Sequence, residues 1–170
     1  MTFTRVQTTD AELLRFFAER TFRLAYEDKN DPGDFKAYCD QYFSLEQILA
    51  EIEHPHAAFW FAWNGEQLVA YLKLNFDHHP PELNSHRTVQ IERIYVEPDV
   101  QGRGIGQKLL LFAQEQAKTK GAEWLWLSVW QANPPAVRFY ERNGYEIFGT
   151  ETFVVGTDEQ LDWLMKKQVL

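Results

Sequence analysis

Only one cysteine, Cys39, stands among the 170 residues, which excludes an intrachain disulfide and a thiolate-held zinc site and fits a reducing, cytoplasmic setting. No apolar run approaches the about 18 residues of a membrane span, and Met1 to Asp10 is polar, without the apolar stretch of an export signal. Basic residues are few, 17 against 25 acidic ones, and the net charge of -8 opposes attraction to nucleic acid or an anionic membrane. The same imbalance would welcome a cationic small molecule. Nine glycines and seven prolines are too few for a fibrous or low-complexity chain.

What is present is core material. Hydrophobic residues make up 45% and aromatics 15%, enough for one domain over residues 1–170. Phe3 to Gln7 alternates like a short strand, and Thr9 or Asp10 then caps a helix whose apolar stripe is Leu13, Leu14, Phe17 and Leu24. An acidic loop with a Pro32-Gly33 turn follows, then helical spacing over Phe35 to Tyr42 and Ser44 to Glu53, with Ser44 and Gln47 forming a capping box.

From Ala58 the period becomes that of strands. Ala58 to Trp63 and Gln67 to Asn75 flank an Asn64-Gly65 turn, and Thr88 to Val96 is a further strand ended by Pro98. Ile105, Leu109, Phe112, Ala113 and Ala117 mark a helix that Gly121 stops. Trp124 to Trp130 is nearly all apolar, as in a central strand covered on both faces. Asn133-Pro134 starts a helix ending near Asn143-Gly144. Tyr145 to Val155 and Leu161 to Leu170 are two last strands, joined by a turn over Gly156 to Gln160. The last strand is exposed enough to pair between protomers, which would give a homodimer.

Gln101-Gly102-Arg103-Gly104-Ile105-Gly106 lies between a predicted strand and a predicted helix. Three alternate glycines remove Cβ atoms that would block a ligand, and their amides with those of the first helical turn form a concave donor array suited to a diphosphate. The plainer alternative is a tight connection in which glycine only supplies unusual backbone angles. Two nucleotide motifs fail here: no Gly-Lys-Ser/Thr follows, and Gln107 stands where the dinucleotide fingerprint needs a third glycine.

The pattern resembles motif A of the GNAT N-acetyltransferases, Gln/Arg-x-x-Gly-x-Gly/Ala, matched by Gln101, Gly104 and Gly106. The element order agrees along nearly the whole chain. Ile91 to Val96, Trp130 to Asn133, Phe139 to Tyr145, Gly156 to Asp162, and the early run from Thr21 to Gln47 are most like the PaiA-type spermidine/spermine N-acetyltransferases. The resemblance implies a single-domain α/β (α+β) fold, a mixed, mostly antiparallel sheet flanked by helices, with splayed fourth and fifth strands. It also implies acetyl-CoA as cosubstrate, its pyrophosphate at Gln101, Gly102, Arg103, Gly104, Ile105, Gly106 and Gln107, and its pantetheine along the backbone of Ile94, Tyr95 and Val96. Asn133 and Tyr140 match family positions that contact the cofactor, and Tyr140 matches the customary acid for the leaving thiolate.

The resemblance further implies acetyl transfer to a primary amine, a polyamine such as spermidine or spermine, by direct attack in a ternary complex. Such an amine is about one part in two thousand neutral at pH 7, so a proton route is needed. Glu92 on the fourth strand is the candidate base, with an ion pair to Arg93 as the structural alternative. Gln90 occupies a position that is acidic in close relatives and cannot serve as a base. Glu27, Asp28, Asp31, Asp34, Asp77 and Glu82 could draw a polyamine or simply face solvent. The five histidines have no metal-binding spacing, so no metal is expected. Other acceptors, or a noncatalytic acyl-CoA sensor, remain alternatives on the sequence alone.

Overall fold

A computed structural model describes residues 1–84 and 86–170. The chain opens with β1 (Thr2–Arg5), then α1 (Ala11–Tyr26), α2 (Pro32–Tyr42) and α3 (Leu45–Glu53). The hairpin β2 (Ala57–Asn64) and β3 (Gln67–Asn75) leads to β4 (Thr88–Val96), α4 (Ile105–Thr119), β5 (Trp124–Trp130) and α5 (Pro134–Arg142), and the chain closes with β6 (Glu146–Val155) and β7 (Asp158–Gln168). One seven-stranded sheet has the order β1-β2-β3-β4-β5-β7-β6. Only β4 and β5 pair in parallel.

Each face of the sheet has its own core. Leu72, Leu74, Ile91, Leu125 and Leu127 pack with Leu109, Leu110 and Ala113 of α4. On the other face Phe59, Phe61 and Tyr71 meet Leu14 and Phe17 of α1, Phe35 of α2 and Ile48 of α3. The α1 side chains turned inward are Ala11, Leu14, Phe17, Ala18 and Thr21. Leu13 and Leu24 instead face solvent at 42% and 60% exposure, correcting the predicted stripe. About 100° per residue places 13 and 24 together next to Phe17, at the border of the 14-17-18-21 face rather than at its centre.

Two further expectations are corrected by local hydrogen bonding. Pro32-Gly33 is no free turn: Asp31 accepts from the Gly33 and Asp34 amides as N-cap of α2, with Pro32 at the first helical position. Ser44 does accept from the Gln47 amide, but the Gln47 side chain donates to Glu51 rather than back to the cap. The last hairpin is tighter than predicted, Val155 pairing with Asp158 around Gly156 and Thr157. Gly156 has φ 60, and a Cβ there would run into the Asp34 carboxylate. That carboxylate accepts from both N and Oγ1 of Thr157 at 3.1 Å, tying the hairpin tip to α2.

The expected splay is present. The β4–β5 ladder runs only from Thr88 opposite Trp124 to Ile91 opposite Leu127, after which the strands part. At that point Glu92 is an extra residue in β4: Leu74 pairs with Ile91, and Lys73 pairs with Arg93. This β-bulge resets the alternation, so Ile94 and Val96 return to the α4 face with Ile91, while Tyr95 joins the α1 face.

Candidate active site

The opening between β4 and β5 is a wedge whose base is Ile91 and Leu127. At its far end lies the glycine-rich turn. Gly102 and Gly104 both take φ 75, and Gly104 is the N-cap of α4. A Cβ at either would meet nothing within 4 Å, so the turn presents bare backbone outward. The first intrahelical bond of α4 runs from the Lys108 amide to Gly104 O, which leaves the amides of Ile105, Gly106 and Gln107 free of helix partners. Arg103 is exposed beside them. Such a donor set with a cation suits an anion of diphosphate size.

Two residues of the motif have work inside the fold. The Gln101 side chain donates to Val96 O at 3.0 Å, binding the turn to the end of β4. Gly106 faces α5, where an added Cβ would stand 3.0 Å from Phe139 Cζ. Its missing side chain is therefore a matter of helix packing as much as of ligand approach.

Beyond Ile91 the β5-facing edge of β4, along Ile94, Tyr95 and Val96, carries no ladder to β5. The Tyr95 ring stacks on Tyr71 at 5.6 Å. Across the wedge, the Asn133 side chain accepts from the Ala136 amide at 3.3 Å as N-cap of α5. Tyr140 of α5 packs edge-on to Phe139 and Tyr145, and burial pushes its phenol far above the ordinary range, keeping it protonated. Tyr26, at the end of α1, spans the gap: its ring is 6.4 Å from Trp130, and its hydroxyl has Tyr95 and Asn133 as polar neighbours. Tyr26 had no sequence signal beyond its place at a helix end.

Glu92 sits in a buried charge network. Its Oε1 is 2.7 Å from Lys73 Nζ and 3.5 Å from Arg93 Nη2, and Oε2 accepts from the Asn75 side chain, which also donates to Gln90 Oε1 at 3.0 Å. Glu51 of α3 completes the network, 2.7 Å from Lys73 and 3.0 Å from Arg93. Burial works against the Glu51 charge, but Arg93 and then Lys73 more than offset it and hold the carboxyl below its usual value. Two carboxylates thus balance two cations. Lys73, Asn75, Glu92 and Glu51 line one wall of an open cleft of about 560 Å³, with His54, His56 and His78 around its rim.

On the β5 side of the wedge stands a pair that the sequence reading missed. Ser128 is the first β5 residue past the ladder, and its Oγ donates to Asp162 Oδ2 of β7 at 2.7 Å. Thirty-four positions separate them, and only the β5–β7 register brings them together. Asp162 is buried, and its Oδ1 has no hydrogen-bond partner among the described residues. Burial pushes its carboxyl up, the Ser128 bond opposes that, and Glu151 adds repulsion.

The predicted acidic cluster is largely occupied. Glu27 pairs with Arg23 at 2.9 Å, Asp31 caps α2, and Asp34 holds Thr157. His79 bonds Thr88, His86 bonds Glu123, and His78 stacks on Trp126. Among the described residues no group of three His, Cys, Asp or Glu is arranged to hold a metal ion. No described helix is long and apolar enough to cross a membrane.

Residues 15–145 match the model of the acetyltransferase (GNAT) family. The chain is 34% identical to an N-acetyltransferase of Lactobacillus delbrueckii subsp. lactis, over 97% of this chain and 96% of the relative. Among solved structures it is similar to a PaiA N-acetyltransferase of Thermoplasma acidophilum in complex with coenzyme A, with TM-score 0.76, 22% identity and 99% of each chain covered. It is also similar to the spermidine/spermine N-acetyltransferase SpeG of Vibrio cholerae, with TM-score 0.68, 20% identity, and 99% and 94% covered.

Proposed function

The chain belongs to the acetyltransferase (GNAT) family and is an acetyl-CoA-dependent N-acetyltransferase, and from that premise we propose a polyamine such as spermidine or spermine as its acceptor. The carrying observation is the wedge itself, with a bare-backbone anion site at one end and, beside Glu92, a polar cleft lined by Glu51, Lys73, Asn75 and Asp77. The pyrophosphate would rest on the amides from Gly102 to Gln107, with Arg103 alongside and Gln101 holding the turn in place. The pantetheine would follow the unpaired edge of β4 at Ile94, Tyr95 and Val96, with Asn133 and Tyr140 on the opposite side. A backbone amide of that edge can stabilise the oxyanion as the amine attacks.

Acetyl-CoA supplies an activated acyl carbon, and the protein supplies position and proton traffic. The amine attacks directly in a ternary complex. Tyr140, held protonated, donates to the departing thiolate. Glu92 meets the amine from the β4 wall, as its charge partner or as its base. The net charge of -8 supports a cationic acceptor, as does likeness to a PaiA protein and to a spermidine/spermine N-acetyltransferase. Engagement of Glu27, Asp31 and Asp34 within the fold favours a second reading, a smaller amine that needs fewer acidic contacts.

The deciding experiment follows free CoA thiol with acetyl-CoA and a panel of amines, with acetylated product confirmed by mass spectrometry. Turnover on spermidine or spermine well above monoamines is the expected result, and preference for an uncharged or single amine would overturn the polyamine assignment. Tyr140→Phe is expected to lower kcat about a hundredfold while acetyl-CoA still binds.

A further inference from the structure

Glu92 and Ser128 are the first residues past the last β4–β5 pair, Ile91 and Leu127, and so flank the mouth of the wedge from its two walls. They differ in what already holds them. Both Glu92 oxygens are engaged, one by Lys73 and one by Asn75, so the carboxylate is already committed to partners within the fold. Among the described residues Ser128 has a single partner, the Asp162 carboxylate, whose second oxygen is buried and unbonded. A buried acceptor without a partner is costly to maintain and invites a role.

We infer that Ser128 and Asp162 form the proton route for the acceptor amine, Ser128 touching the nitrogen and Asp162 acting through it as a positioning residue and proton store. This rests on the acetyltransfer reading above and deepens it. The ammonium first loses one proton to solvent; as the C–N bond forms, the nitrogen gives a second proton to Ser128 Oγ, and the Ser128 proton passes to Asp162. As the C–S bond breaks, the thiolate takes a proton from Tyr140. One proton moving through solvent from the Asp162 carboxyl to the Tyr140 phenolate resets both, with nothing oxidised or reduced. Glu92, held by Lys73 and Asn75, faces the amine from the β4 wall and takes no part in the proton route.

The surroundings of Asp162 fit this task. Glu151 of β6 lies directly across the ladder, Trp130 faces it from β5, and Tyr26 of α1 is close enough to feel its charge. Lys29, just past α1, has its ammonium 5.9 Å from the Trp130 ring centroid. Burial and the Glu151 charge raise the carboxyl and the Ser128 bond opposes them, and the net rise makes the ionised Asp162 a stronger proton acceptor than an ordinary aspartate.

The test is steady-state kinetics and pH profiles of Asp162→Asn, Ser128→Ala, the double variant and Glu92→Gln, with the best amine of the panel. Asp162→Asn and Ser128→Ala are each expected to lower kcat tenfold or more. The acetyl-CoA KM should hold, the acid limb of the profile should disappear, and the double variant should lose no more than either single one. Circular dichroism and acetyl-CoA binding confirm that each variant is folded. Folded single variants with wild-type kcat and an intact acid limb would overturn the inference, as would loss of that limb in Glu92→Gln alone. If the wild type acetylates none of the amines, the functional reading fails and takes the inference with it.

Discussion

The Phe139 ring of α5 lies against Gly106 of α4, so close that a Cβ on the glycine would stand 3.0 Å from its Cζ. Helix α5, which carries Tyr140 and is capped by Asn133, is thereby set against the helix whose first turn would take the pyrophosphate. Gly106→Ala should cost about 1–3 kcal/mol of stability by overpacking and should weaken acetyl-CoA binding, measurable by thermal melting and by titration. Gly104→Ala meets no such neighbour but must hold φ 75, so its penalty should be a backbone one.

Lys73 is expected to be among the least replaceable side chains. It joins Glu51 to Glu92 in a buried setting, and Lys73→Met would leave two carboxylates sharing one cation, Arg93. Removing one partner of such a network typically costs about 3–5 kcal/mol. Urea unfolding at neutral pH reads the loss directly.

The same network gives a pH dependence of stated sign. Glu51 is held below its ordinary value in the folded chain, so its stabilisation is fully present above the unfolded carboxylate range. It is lost as the pH falls through the depressed folded value. Unfolding free energy measured from neutral to acid pH should decline there, and Glu51→Gln should flatten that decline.

Asp162 should behave in the opposite sense. Its folded value is raised, so the ionised carboxylate destabilises the fold at neutral pH, and the penalty lifts as the pH falls through that raised value. Asp162→Asn is expected to melt a few degrees above wild type at pH 7, with the two converging in acid. A variant that gains stability while losing turnover would show a functional group kept at a cost to the fold.

Strands were the most legible part of the sequence. Thr88–Val96 and Trp124–Trp130 begin and end where composition and flanking residues place them, because the first is rich in β-branched residues and stops short of Pro98, and the second is a nearly unbroken apolar run between polar residues. The α1 stripe was misread, because Leu13 and Leu24 are apolar residues on a solvent-facing side, and apolarity alone does not reveal which way a helix turns. The glycine turn could be located, yet the work of Gly106 against Phe139 could not, since that contact spans two helices. Glu92 was identified as a candidate without its bulge or its partners on β3 and α3, both of which depend on register. The Ser128–Asp162 pair left no local trace for the same reason.

Four pairs of residues, from Thr88 with Trp124 to Ile91 with Leu127, form the whole seam between the four strands on one side and the three on the other. Mechanically the sheet is two plates on a short hinge, and a molecule lodged beyond the hinge would act as a rivet between them. Saturating acetyl-CoA should then do more than raise the melting temperature: it should merge the unfolding of the plate formed by β5, β7 and β6 with that of the rest. Amide exchange across β7 would slow to the pace of β4.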